Sequence, residues 1–419
     1  MLSPAEAARL ILEHVRPLET IRLPLREALD LVLAEDVASP IDLPGWDNSA
    51  MDGYAVRSAD VAGASSERPV ALRVIETVPA GRFPERALGP GEATRIFTGA
   101  PLPAGTDGVI RQEDTDPLPD GRVAVRNDRD NGRNVRRRGE DIRAGALVLA
   151  RGAALGPAQL GVLASIAYGT PLVHRPPRVA FMGTGDEIVD LDHADEILAG
   201  KKIATSNSYT LHGMIRRAGG IPLDLGVARD TKDSLREHLS GGGARDADLL
   251  VTSAGVSVGE HDLVRDVLTA LGCDMKLWRI RMRPGAPLGF GLLDGRPWIG
   301  LPGNPVSTMV TFELFVRPVI RRLLGHALPF RRTVTVCVAE PITLGPKLRH
   351  YLRAIVAPQG ADGALVARLT GPQGSGILTS MARANALLIV PEDHPAVAVG
   401  EVLRALLLDD PHHVAEAPF

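Results

Sequence analysis

Two cysteines in 419 residues, Cys273 and Cys337, leave no room for a disulfide framework and no Cys/His cluster at zinc-ligand spacing. Lysine is almost as scarce, five among 47 basic residues, so positive charge is carried by arginine. No apolar run reaches membrane-spanning length. No Gly-Lys-Ser/Thr phosphate loop occurs, and GTGDEI lacks the third glycine of a dinucleotide fingerprint. The net charge of −3 gives no global reason to expect a nucleic acid or an anionic membrane as partner. The N-terminal SPAEAARLILEHV carries acids and reads as an amphipathic helix, not a signal peptide, so a soluble, cytoplasmic protein is expected. Internal repeats and low-complexity tracts are missing too.

What is present is enough apolar residue, 45%, for packed cores, over a length that should divide into two to four domains. Residues 3–16 fit a helix with Ser3 as N-cap, Pro4 at the first position and Glu6 closing a capping box. Leu25–Ala34 reads as a second short helix, and the Pro/Gly-rich SPIDLPGWDNSAMDGYA after it as irregular chain. Between about Ala71 and Val125 the runs LRVIETV, EATRIFTGA, DGVIRQED and RVAVR predict a separate β-rich unit. A charged connector, RNVRRRGEDIR, and a helical GPAQLGVLASIAYG follow. From Arg178 strands at 179–183, 221–227, 248–254 and 297–303 alternate with helices at 207–218, 231–240, 262–271 and 305–324. That alternation predicts a doubly wound, mostly parallel sheet whose ligands lie beyond the carboxyl ends of its strands. After Gly325 strands return, enough for a small terminal β-barrel or sandwich.

The richest stretch is DADLLVTSAGVSVGEHD, which ends at Asp262. A buried strand opens into small residues, including Ser257 and Gly259, which let backbone N–H groups approach an oxyanion at a helix start. Acids beside such a cradle suit a Mg²⁺ ion bridging carboxylate and phosphate. The other strand ends supply Glu187, then Asp230, then LPGNPVS, so Glu187, Asp230 and Asp262 are the candidate acids of one crevice. Singly, each loop could be an ordinary turn or cap. Pro305 fits the first helical position, with Asn304 or Ser307 as cap; a capped helix start and an anion site explain LPGNPVS equally well. Arg279, Arg281 and Arg283 alternate and should share one side of a strand, either as a solvated edge or as guanidinium forks for an oxyanion. DNSAMDGYA could be a turn and RRRGED a surface ion-pair cluster.

Taken in order, DNSAMDGYA, RIFTGAPLP, RRRGEDI, GTGDEI, SAGVSVGEHD, RPGAP and LPGNPVS resemble the molybdopterin molybdenumtransferase family, the MoeA and gephyrin E-domain proteins. The resemblance implies a multi-domain α/β and β fold. Its parts would be a helical domain at 1–43 and 138–176, a β-rich insert at 44–137, a molybdopterin-binding α/β domain at 177–327 and a β-barrel at 328–419. It implies insertion of molybdate into adenylylated molybdopterin with release of AMP, dependence on Mg²⁺, and a homodimer supplied by a molybdopterin adenylyltransferase. It would place Asp52, Thr98 and Asp141 on the insert side of a site shared between subunits. Glu187, Asp230 and Asp262 would lie on the α/β side and hold the metal, with Ser257 and Gly259 in the cradle. Arg279, Arg283, Pro302, Pro305, Arg349 and Ser375 would bind substrate. Arg279 and Arg283 stand where the family commonly has Lys, Ala286 stands where it has the Lys of PGKP, and Ala254 replaces a Gly of SGG. Arg keeps the charge with a different geometry; Ala286 removes it. A catalytically silent gephyrin-like scaffold, a tungstate-preferring paralogue and a sister adenylyltransferase are the rival readings.

Overall fold

The computed structural model describes residues 1–255, 263–345, 347–359 and 363–408. They form two compact units, one from residues 1–22, 30–34 and 172 onward, the other from 23–29 and 35–171.

The first unit begins with the helix Pro4–Glu13. Its capping box is complete: Ser3 Oγ accepts from Glu6 N at 3.3 Å and Glu6 Oε2 accepts from Ser3 N at 2.7 Å. Such a cap stabilises a helix by about 1 kcal/mol. Ala7 and Ile11, four residues apart, are buried and fix the face that packs.

A six-stranded sheet follows, in the spatial order Ile221–Ala228, Arg178–Thr184, Leu249–Ser253, Arg296–Leu301, Pro287–Leu293, Asp274–Arg279. The first four strands are parallel and the last two pairings are antiparallel, so that only Pro287–Leu293 runs against the rest and the expectation of a mostly parallel sheet holds. All five residues of Leu249–Ser253 are buried, as a strand covered on both faces requires. Leu250, Val264, Val267, Leu268 and Trp298 join it in one core. The helical stretch at 305–323 is not uniform. Pro305–Thr311 and Arg317–Leu323 are α-helical, separated by a π-turn at Phe312–Val316. Pro318, with no N–H to return to residue 314, follows that wider turn.

Beyond it Arg349–Gln359, Ala364–Leu369, Thr333–Val338, Val402–Leu407 and Ala386–Val390 pair in that order, and the last strand closes onto the first as a five-stranded barrel. Met282–Arg283 adds to the barrel by pairing parallel with Arg349–His350. This corrects the expected arginine strand. Arg279 ends one strand of the α/β sheet, whereas Arg283 belongs to a strand of a different sheet, so the three arginines share no common edge.

The second unit is built on a six-stranded sheet ordered Gly108–Arg111, Gly53–Val56, Glu92–Ile96, Val70–Val78, Arg122–Val125, Thr115–Pro117. Two local expectations fail. Gly53–Val56, read as irregular chain, is an inner strand, because YAV supplies three consecutive buried side chains despite the Gly and Pro around it. Leu25–Ala34, read as a helix, forms only a 3₁₀ turn at Leu25–Ala28. Asp30 adopts φ +64°, and the apolar run after it is extended, with Leu33 bridged to Val173.

Candidate active site

At the carboxyl ends of the parallel strands of the first unit lies a crevice of about 510 Å³. Thr184 and Glu187 contribute from one strand end, Ser253 and Gly255 from the next, Pro302 and Pro305 from the third, and Asn207 from the start of the helix Ser206–Ala218. Gly255 has φ +72°, and a Cβ there would sit 2.2 Å from Val264 Cγ2, so only glycine fits. Gly185, at φ +141°, lets the Glu187 carboxylate fold back to within 2.7 Å of where a Cβ would stand.

The acids are organised by their neighbours. Thr184 Oγ1 donates to Asp230 Oδ1 at 2.8 Å, and the Asp230 N–H donates to Asp186 Oδ1 at 3.3 Å. Lys202 Nζ reaches the Asp186 carbonyl at 2.7 Å. Glu187 and Asp230 are both exposed at neighbouring strand ends, where a hydrated cation can reach them. Among the described residues no group of three or more His, Cys, Asp or Glu side chains is arranged to hold a metal. Ser257, Gly259 and Asp262 lie outside the described residues.

Pro302 and Pro305 line the crevice, and Pro305 is the first residue of its helix. The cap differs from expectation. The Asn304 side chain makes no capping bond; instead Val306 N donates to the backbone carbonyl of Ser375 at 3.1 Å. Thr308 Oγ1 ties the same turn down at the Pro302 carbonyl, 2.6 Å away. Ser375 is thereby joined to the crevice loop through its main chain.

That junction borders a second groove, about 470 Å³, containing Arg283, Gly374 and Arg353. Arg353 is fully buried. Its Nε donates to Ser380 Oγ and its Nη2 to the Gly374 carbonyl, each at 3.0 Å, while Nη1 has no partner among the described residues. Burial pulls its pKa down to about 10. Nothing in the strand run YLRAIVA marks Arg353, since an arginine is rarely fully buried and its burial here depends on distant segments. Arg349, the arginine expected to bind substrate, is instead paired with Glu392 at 3.0 Å and lies outside the Arg283 groove. Arg279 is exposed, in register with Pro287, and lines neither cavity.

In the second unit Asp52 Oδ1 accepts from both Thr98 N, at 2.7 Å, and Thr98 Oγ1, at 2.8 Å. The backbone bond first, and the hydroxyl bond second, hold the Asp52 carboxyl below the usual carboxylate range. Asp141 is exposed on the RRRGED turn and shares no side-chain bond with Asp52 or Thr98 among the described residues. The turn itself is a set of ion pairs, Arg137 with Asp47 at 2.7 Å and Arg138 with Asp42 at 2.6 Å.

Residues 2–167 match the family model of the MoeA N-terminal region (domain I and II), 180–322 the probable molybdopterin binding domain, and 335–408 the MoeA C-terminal region (domain IV). Molybdopterin molybdenumtransferase 2 of Mycobacterium tuberculosis H37Rv is 38% identical over 409 residues, covering 96% of this chain and 99% of its own. The chain belongs to the molybdopterin molybdenumtransferase (MoeA) family. The molybdopterin molybdenumtransferase of Nostoc sp. PCC 7120 is 37% identical over 382 residues, 90% of this chain and 86% of its own. The molybdopterin biosynthesis moeA protein of Pyrococcus horikoshii OT3 superposes with a TM-score of 0.81 at 28% identity, covering 97% of this chain and 100% of its own. The fold is thus that of the MoeA family, including its molybdopterin-binding type α/β domain and terminal barrel. Among the described residues no helix is long and apolar enough to cross a membrane.

Proposed function

We propose that this chain is a transferase of molybdenum cofactor biosynthesis that inserts molybdate into adenylylated molybdopterin and releases AMP. The observation that carries the reading is Arg353. A fully buried guanidinium with one nitrogen unpartnered among the described residues, in a groove shared with Arg283, calls for an oxyanion. Burying an ion costs several kcal/mol unless a counter-charge arrives. Molybdate, a tetrahedral dianion, supplies one and accepts bidentate bonds from arginine.

The crevice beside that groove suits the phosphates. Glu187 and Asp230 would hold Mg²⁺, with Asp262 as a third ligand. Mg²⁺ is held by a few carboxylates and fills the rest of its shell with water and phosphate oxygen. When bound, it would polarise the phosphoanhydride. Thr184 fixes the Asp230 carboxylate for that task, and Pro302 and Pro305 shape the wall against which the ligand lies. The dithiolene sulfurs that receive molybdenum belong to the pterin, so two scattered cysteines suffice.

The working form we propose is a homodimer, in which Asp52, Thr98 and Asp141 of one copy serve the crevice of the other, in the cytoplasm and downstream of an adenylyltransferase. The test incubates the protein with adenylylated molybdopterin, Mg²⁺ and molybdate or tungstate, scoring AMP and pterin-bound metal. AMP release that depends on Mg²⁺ and yields metallated pterin is expected. No AMP release with any oxyanion would favour a silent scaffold.

A further inference from the structure

Ser253 ends the strand Leu249–Ser253 and lines the crevice while only 2% exposed. Its Oγ accepts one N–H of the Asn207 amide at 2.7 Å; the other N–H of that nitrogen reaches the Gly303 carbonyl at 2.8 Å. A backbone carbonyl only accepts, so the amide atom facing Gly303 must be the nitrogen, and the orientation of Asn207 is settled. Ser253 is then an acceptor towards Asn207 and keeps its own hydroxyl hydrogen. Among the described residues no group accepts that hydrogen.

The Asn207 arrangement is costly. Its Oδ1 is buried with no partner among the described residues. An unmet buried acceptor is destabilising, a cost that a leucine of similar volume would avoid. The two N–H bonds are what the asparagine provides: they join the start of the helix Ser206–Ala218 to two loops of the crevice, and they fix the Ser253 rotor. A hydroxyl that has taken an N–H on one lone pair turns its hydrogen away from that donor. The crevice it lines is where an acceptor can arrive.

We propose that the Ser253 hydroxyl donates to a phosphate oxygen of the pterin substrate, and that Asn207 is the positioning residue that aims it. The proposal rests on the molybdopterin reading above. A phosphate offers only acceptors, and Glu187 and Asp230 offer only acceptors too, so the phosphate must take its neutral donors from elsewhere in the lining. Ser253 is one with a hydrogen unspent.

Binding is measured by pteridine fluorescence on the full-length protein, with molybdopterin and with its dephosphorylated form. Ser253→Ala should weaken molybdopterin binding about tenfold or more, the loss of a hydrogen bond to a charged group, and leave the dephosphorylated pterin within about twofold of wild type. Asn207→Leu should lose comparably with molybdopterin, and the double variant should bind no more weakly than the weaker single one. Wild-type affinity of Ser253→Ala for molybdopterin would overturn the contact, and so would equal losses with both pterins, which would mean a change in crevice shape. Additive losses in the double variant would overturn the role of Asn207. Should Asn207→Leu fail to fold, Ser253→Ala with its dephosphorylated control still decides. A wild-type protein that binds molybdopterin but releases no AMP would remove the transferase reading and leave this inference to the binding data. One that binds neither pterin would remove both.

Discussion

Arg353→Met should separate stability from oxyanion use. Burial holds the Arg353 pKa at about 10, a depression that corresponds to about 3 kcal/mol of desolvation cost. Methionine removes that cost and fills a comparable volume with apolar atoms. It also removes two hydrogen bonds, to Ser380 Oγ and to the Gly374 carbonyl, and bonds from a charged donor contribute about 1.5–3 kcal/mol each. The groups left behind are not stranded: Ser380 Oγ still donates to the Ile377 carbonyl at 2.6 Å, and Gly374 lines a groove that water can enter. Gains and losses therefore largely cancel, and the net change in stability should stay within about 3 kcal/mol, as when buried ions elsewhere are exchanged for apolar residues. Molybdate should be affected far more, because the unpartnered Nη1 is lost with the charge. The half-saturating molybdate concentration for metal insertion should rise by at least about tenfold, alongside a nearly unchanged thermal unfolding midpoint. A folded Arg353→Met protein that uses molybdate at the wild-type concentration would refute the argument, and the oxyanion would have to be sought elsewhere.

Thr98→Val should raise the Asp52 pKa without restoring it to an ordinary value, because the larger cause, the Thr98 backbone N–H, remains; carboxyl NMR titration reads this directly. Since the folded pKa is depressed, the stability linked to Asp52 is present above the unfolded pKa and fades as pH falls through the folded one. In the variant that fading should be smaller in total and complete at a higher pH, its onset at the unfolded pKa being unchanged. Ala254→Gly should raise the unfolding midpoint, since Ala254 sits at φ +76°, a conformation that costs a non-glycine residue about 1 kcal/mol; a lower midpoint would show that its methyl packs well enough to compensate. Ala286→Lys should lower the half-saturating molybdate concentration by restoring a cation to a half-buried turn whose carbonyl already anchors Ile280 N at 3.0 Å; no change would mean that Arg283 and Arg353 already suffice. Co-refolded Asp52→Ala and Asp262→Ala proteins should recover about a quarter of wild-type insertion activity, since half the dimers are mixed and each keeps one intact site. Activity no higher than either parent, with mixed dimers verified by mass, would place each site within one chain.

Local patterns were legible where one physical rule dominated. The capping box at Ser3 and Glu6 needs only four residues and appears as read. The strands 179–183, 221–227, 248–254 and 297–303 match observed parallel strands to within a residue or two, because continuous apolar runs bounded by glycine and polar loops have few other uses. The failures share a cause. Gly53–Val56 was hidden by flanking Gly and Pro, although its neighbours in the sheet, and not its own propensity, decide its conformation. The helix read into Leu25–Ala34 ignored that an aspartate can take a left-handed turn, after which the same apolar residues pair as extended chain.

The site divides the same way. The placement of Glu187, Pro302 and Pro305 in one crevice, with Asp230 at the neighbouring strand end, was readable because the ends of parallel strands must meet at one edge of a sheet, whatever the side chains are. Arg353 and Asn207 were not readable, because their roles exist only after distant segments close around them. Arg353 becomes a buried charge only when the barrel brings Ser380 and Gly374 against the strand Arg349–Gln359. Asn207 becomes a bridge only when the ends of two other strands arrive, 46 residues away at Ser253 and 96 at Gly303. Even the helix cap at Val306 comes from Ser375, in the segment that leads into the barrel's last strands. A sequence therefore shows where such a site must lie sooner than it shows what binds there. Strand order locates the crevice, whereas its chemistry depends on polar groups whose partners are missing and which only the assembled fold exposes.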